Sequence, residues 1–261
     1  MVRTRCIVVK TSGDVFQEFQ QFICGQVLQL TYSKLHVSFM TSVAFQREFQ
    51  EYFDFEYDEI SLKTISEAKY LYSPADQDKY LREIEFGDEL DYFVYEAVSE
   101  FRTPKSDLIS YVKNKSKVHR ILRDSVHIYV HPQLDMLYRD DKINVGLHYS
   151  MSDVSDVYSH CDVDMYNYID FTNSSGMKKE GIEKYQISDK ILLYVALSRC
   201  DMIIGDLDDI VNYEACMPKL SMLHDVSARS LQYSGIVPLQ TVYHQTCLFP
   251  NSQLLMQYLQ T

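Results

Sequence analysis

Three short stretches hold residue types whose spacing can do chemistry. The first is Gly13-Asp14-Val15, which follows the apolar run RCIVVK at 5–10. Asp14 admits two readings there. It is a general base that takes the proton of a hydroxyl, or it caps the helix that follows. Gly13 permits a tight turn, and the first N–H groups of that helix can face an anion. The second stretch is Gly205-Asp206-Leu207-Asp208-Asp209, followed by Asn212-Tyr213-Glu214. Gly205, Asp208 and Asn212 are placed to approach a diphosphate, and Glu214 to accept two ribose hydroxyls. Several carboxylates in one turn repel a diphosphate unless a cation compensates, so an acidic helix cap is the competing reading. The third is a pair of His-x-Ser runs, His36-Val37-Ser38 and His148-Tyr149-Ser150. Two imidazoles facing one pocket do acid–base work; each alone is an ordinary packed strand histidine.

The elements that must carry these residues follow from periodicity. Residues 5–10 read as a buried strand. Val15, Phe16, Phe19, Phe22, Ile23, Val27 and Leu30 recur at three and four, which predicts an amphipathic helix. LHVSFM at 35–40 returns as a strand, so the chain opens as a βαβ unit. Further on, 45–53 and 105–122 read as helices and 55–62 as a strand. The acidic, aromatic segment DELDYFVYEAVSEF at 88–101 reads as a helix, and 126–132 as a strand ending at Pro132. The last third alternates clearly. Strands are expected at 143–150, 164–172 and 201–209, and again at 219–225. Between them lie a loop at 173–181, a helix at 188–200 with Ser188 as its cap, and a short helix at 210–217. Strand–helix alternation in both halves predicts an α/β chain with parallel sheets.

The order IVVKTSGDV, then VGLHYS, then ILLYVALSRCDMIIGD and YEACMPKLSML resembles a glycosyltransferase of the GT-B type. The opening resembles the heptosyltransferase family, in which the strand–loop–Gly-Asp-Val–helix start carries the catalytic Asp; Asp14 matches that position. LLYVALSRCDMIIGD resembles the helix and strand before the donor loop of that family. Glu214-Ala215-Cys216-Met217-Pro218 resembles a Glu-Ala-x-x-Cys-Gly-x-Pro region in which the Glu binds the donor ribose. VGLHYSMSD is similar to the start of the donor domain there and in the α-1,2-fucosyltransferases, although it lacks the Arg-rich donor motif of the latter. The resemblance implies two Rossmann-like domains facing a cleft, in a short version: an acceptor-side domain over 1–140 and a nucleotide-sugar domain over 141–261. It implies transfer of a sugar from a nucleotide sugar, the co-substrate, held by Gly13, Gly205, Asp208, Asn212 and Glu214, to a hydroxyl of a glycan or small acceptor. No further cofactor and no obligatory metal are implied. Two other readings stand beside it. The His-x-Ser pair resembles the 2H phosphodiesterases, with His36 and His148 as the acid–base pair. A GT-B domain that has lost catalysis would serve as an interaction module.

Composition narrows the field. Hydrophobic residues make up 46% of the 261, enough for packed cores. The net charge of −12 disfavours an extended nucleic-acid surface, which needs clustered Lys and Arg. The six Cys have no zinc-ligand spacing and read as buried free thiols of a reducing compartment, so a cytoplasmic location is expected. No stretch has the length of a membrane span, and the first residues lack the apolar core of a signal peptide. Gly-x-x-x-x-Gly-Lys, Gly-x-Gly-x-x-Gly and Gly-x-Ser-x-Gly are all absent, which sets aside P-loop hydrolysis, dinucleotide redox chemistry and the usual esterases.

Overall fold

The computed structural model describes residues 5–31, 35–60, 70–72, 92–96, 108–127, 132–149, 158–159, 161–172, 179–205, 209–212 and 214–215. The chain is mixed α/β, with two four-stranded parallel sheets among the described residues, and divides into compact units Met1–Val118 and His119–Thr261. This is compatible with a Rossmann-like fold. The sequence places a boundary at 140, whereas compactness divides the chain inside a helix, after Val118.

In the first unit the elements are β1 (Arg5–Lys10), α1 (Val15–Thr31), β2 (Leu35–Met40), α2 (Val43–Tyr52), β3 (Tyr70–Tyr72) and β4 (Tyr92–Glu96). The sheet order is β2-β1-β4-β3, and every pairing is parallel. A central strand of a parallel sheet is covered on both faces, which is why β1 is apolar at consecutive positions: Ile7, Val8 and Val9 are all buried. The helical stripe of α1 lands where its spacing predicts. Phe16, Phe19, Phe22, Ile23 and Val27 are buried. Phe22 centres an aromatic cluster, with ring centroids 4.7 Å from Phe39 and 4.9 Å from Phe49. Gly25 lets α1 approach closely, because a Cβ there would lie 2.7 Å from Phe39 Cζ and 3.1 Å from Val9 Cγ2.

Two expectations are corrected here. The segment 88–101 is not helical where described: Tyr92–Glu96 is β4, laid between β1 and β3. Tyr-Phe-Val-Tyr suits a strand, and pairing on both sides outweighs the helical spacing of the flanking residues. The expected strand at 55–62 reduces to one bridge, Glu59 beside Phe39. It still closes an edge, since Phe39 N donates to Asp58 O and Ile60 N to Phe39 O.

Helix α3 (Leu108–Asp124) carries the division between the units. The second unit continues with α4 (Pro132–Asp135), β5 (Ile143–His148), β6 (Tyr166–Asp170), β7 (Ile182–Lys184), α5 (Lys190–Arg199) and β8 (Met202–Gly205). The order β7-β6-β5-β8 is again wholly parallel. In chain order this is third, second, first, fourth, so the sheet grows one way from β5 and then returns to its other side.

The cap of α5 is Asp189 rather than Ser188; its Oδ1 accepts from Ile191 N at 2.8 Å and Leu192 N at 3.1 Å. Residues Ile191–Ser198 are all buried, so α5 is enclosed on every side instead of showing one apolar stripe. The strand expected at 126–132 falls mostly outside the described residues, and Pro132 opens the single turn of α4 instead of ending it. The strand expected at 219–225 lies outside them altogether. Among the described residues no helix is long and apolar enough to cross a membrane.

Candidate functional site

In an open parallel sheet the chemistry collects at the carboxyl ends of the strands, most of all where neighbouring strands lead the chain in opposite directions. In the second sheet that place lies between β5 and β8. The register sets His148 beside Gly205, each the last residue of its strand. Residues 210–212 and 214–215 are helical, and Asp209 caps this helix through Val211 N at 2.9 Å and Asn212 N at 3.1 Å.

Asn212 ties the helix to the strand. Its Nδ2 donates to the His148 carbonyl at 3.1 Å, and its Oδ1 lies 2.9 Å from His148 Nδ1. Asp209 Oδ1 stands 4.0 Å from the same Nδ1. Gly205 is required by this approach. A Cβ on it would overlap the His148 carbonyl and lie 2.9 Å from Asn212 Nδ2. His148 retains 15% of its side-chain surface and Asp209 28%, so both reach solvent.

Glu214 sits on the same short helix and faces inward. It is 2% exposed, and its Oε2 lies 3.0 Å from His119 Nε2, which is fully buried. His119 Nδ1 in turn is 2.8 Å from the Tyr194 hydroxyl. Burial pushes the Tyr194 phenol well up, and the nearby Glu214 charge adds to this, so it is neutral. Of the residues expected around a donor, Gly13 belongs to the first unit, whereas Gly205 and Asn212 meet at the β5–β8 edge. Glu214 is held within the unit, and Asp208 lies outside the described residues.

Along the same edge stands a polar group that spacing alone does not reveal. Asp170, the last residue of β6, is fully buried and accepts from the Tyr158 hydroxyl and from Thr172 N at 2.8 Å. Lys184 Nζ lies 4.0 Å from Asp170 Oδ2. Desolvation raises the Tyr158 phenol first, and its bond to Asp170 raises it further, so Tyr158 acts as donor. The signal for Asp170 in the sequence is a charged residue closing an otherwise buried strand.

The other candidate turn lies in the first unit. Gly13 has φ of +109°, the left-handed region that favours glycine. Asp14 and Gln17 form a reciprocal cap: Asp14 Oδ1 accepts from Gln17 N at 2.8 Å, and Gln17 Oε1 from Asp14 N at 2.9 Å. Gln21 binds both backbone groups of Ser12, at 2.8 Å and 2.9 Å. Glu18, 3% exposed, accepts from the Thr11 hydroxyl and from Ser42 N at 3.0 Å.

His36 and His148 stand on different sheets. His36 Nε2 is 2.8 Å from Asp58 Oδ2, an oxygen that also accepts from Ser38 Oγ at 2.5 Å. These bonds, Ser38 first, hold the Asp58 carboxyl below its ordinary range. Ser150, the other hydroxyl of the His-x-Ser pair, lies outside the described residues. Among the described residues no group of three or more His, Cys, Asp and Glu is arranged to hold a metal ion. No protein-family model matches this chain, and no curated protein matches it.

Proposed function

We propose that this chain is a glycosyltransferase that seats a nucleotide sugar at the carboxyl ends of β5 and β8. The GT-B arrangement of two halves across a cleft is part of this proposal. The observation that carries it is the parallel order β7-β6-β5-β8, with Gly205, His148 and Asn212 at the reversal between β5 and β8. Such reversals are where open parallel sheets take nucleotide ligands. Gly205 lets β8 and Asn212 close on the end of β5, which holds His148 at this edge. Asp14 is engaged as a cap, so the donor seat is proposed without assigning the base to it.

A panel of UDP-, GDP-, ADP- and CMP-sugars tests the reading. One nucleotide class raises the melting temperature, and incubation with acceptors releases its nucleotide. No shift with any member, at millimolar ligand, sinks the proposal. The burial of Glu214 against His119 favours a second reading, a catalytically silent relative that serves as an interaction module. Binding of a nucleotide sugar without any release of nucleotide would support it.

A further inference from the structure

The hydrogen bonds around Asn212 decide more than the position of a helix. The His148 carbonyl oxygen can only accept, so the Asn212 group 3.1 Å from it is the amide NH₂. The Asn212 oxygen therefore faces His148 Nδ1 at 2.9 Å, and that nitrogen must carry the proton. The neutral imidazole is thus fixed with its lone pair on Nε2. Among the described residues nothing bonds Nε2, and the side chain is partly open to solvent. Asp209 Oδ1, 4.0 Å from Nδ1, is the one charged group among the described residues within ion-pair reach of the ring.

We infer that His148 Nε2 accepts a proton from the hydroxyl of an acceptor that meets the nucleotide sugar at this edge, and that His148 is the general base of the site, with Asn212 as its positioning residue. The chemical class of the group facing it is a hydroxyl, not a phosphate oxygen, because a lone pair repels another acceptor. The inference rests on the transferase reading for the identity of the reaction. In that reaction the acceptor hydroxyl gives its proton to Nε2. Its oxygen forms the new bond to the anomeric carbon, and the bond from that carbon to the nucleotide phosphate breaks. The electron pair leaves with the phosphate, and Nε2 later returns the proton to solvent.

Two measurements decide this. The first is ¹⁵N NMR of the full chain labelled at histidine, at a pH where imidazoles are neutral. The expected spectrum shows a protonated Nδ1 and an unprotonated Nε2 for His148, and Asn212→Ala abolishes the preference. A proton on Nε2 in the wild type overturns the inference. The second compares His148→Asn with His148→Gln. Asparagine keeps an amide donor near the Nδ1 position and loses the outer nitrogen; glutamine does the reverse. His148→Asn keeps the wild-type melting temperature and lowers turnover of the best-binding nucleotide sugar by about 10²–10⁴. A His148→Asn variant that turns over like wild type refutes the general base. If wild type binds no nucleotide sugar, the transferase reading and the transfer step fall together, while the spectrum still rules on the locked nitrogen.

Discussion

The carboxyl edges of the two sheets begin from similar sequence and end in different states. Each central strand has a Gly, an Asp and a helix start near its end: Gly13 and Asp14 after β1, and Gly205 and Asp209 beside β5. At the first edge the polar groups answer one another. Gln21 closes on Ser12, Gln17 on Asp14, and Glu18 on Thr11 and Ser42. At the second edge the contacts instead fix the His148 ring through Nδ1, on a side chain that keeps part of its surface open. A strand–Gly–Asp–helix pattern therefore specifies a turn, and the side chains one or two helical turns later settle whether that turn is closed or open for chemistry.

The contrast is broken most severely at Gly205. Gly205→Ala drives a methyl into the His148 carbonyl, and the edge must part. A loss of about 3 kcal/mol or more is expected in denaturant unfolding, along with loss of the His148–Asn212 bond by NMR. A melting temperature equal to wild type would mean that β8 has room the structure does not give it.

Glu18→Ala opens the first edge. It strips a buried acceptor from Ser42 N and the Thr11 hydroxyl, with an expected cost of about 1–3 kcal/mol. Glu18→Gln retains an acceptor and should recover a large part of that. Equal losses in both variants would show that charge, not acceptance, holds the edge.

Asp14 separates cap from catalyst. Asp14→Ala should cost about 1 kcal/mol as a lost N-cap, while Asp14→Asn, a cap of similar quality, should be near neutral. With the proton acceptor at His148, Asp14→Asn also keeps its turnover. A fall of about 10² or more in the folded Asn variant would return the base to Asp14.

The smallest effect is electrostatic. The Asp58 carboxyl is held low by Ser38 and His36, so its contribution is present above the ordinary carboxylate pKa. It fades as pH falls through the lowered value. Both His36 and Asp58 are about half exposed, which screens the pair. Asp58→Asn should lower stability slightly at neutral pH and leave it unchanged below the lowered pKa, so that the acid limb flattens by that small amount. A large loss at neutral pH would make the 58–60 bridge more important to the first sheet than its exposure suggests.

Periodicity made β1, α1 and β2 legible because their apolar spacing and their burial coincide, from Ile7 through Phe22 to Phe39. It misled at Tyr92–Glu96, where aromatic residues spaced for a helix are taken into a strand by partners far away in sequence. The candidate residues show the same boundary. Gly205 and Asn212 could be picked out from the strand–turn–helix pattern, yet His148 entered the sequence reading as half of a different pair, with His36. Only the strand order reveals that His148 and Gly205 end adjacent strands, and order is a tertiary property. The surroundings of Asp170 were hidden for a related reason. Its partners, Tyr158, Thr172 and Lys184, come from separate segments gathered at the end of β6.

The place of β5 in its sheet also sets a timetable. Synthesis delivers β5 and β6 first and β8 last among the described strands of that sheet, yet β8 is the second neighbour of β5. Until Met202–Gly205 leaves the ribosome, one flank of β5 keeps its backbone donors and acceptors unmatched. A nascent or truncated chain that stops short of Met202 carries that open flank, a template for another chain. Fragments ending before β8 should therefore associate more strongly than the full chain, and a ribosome pausing just upstream would lengthen the exposure.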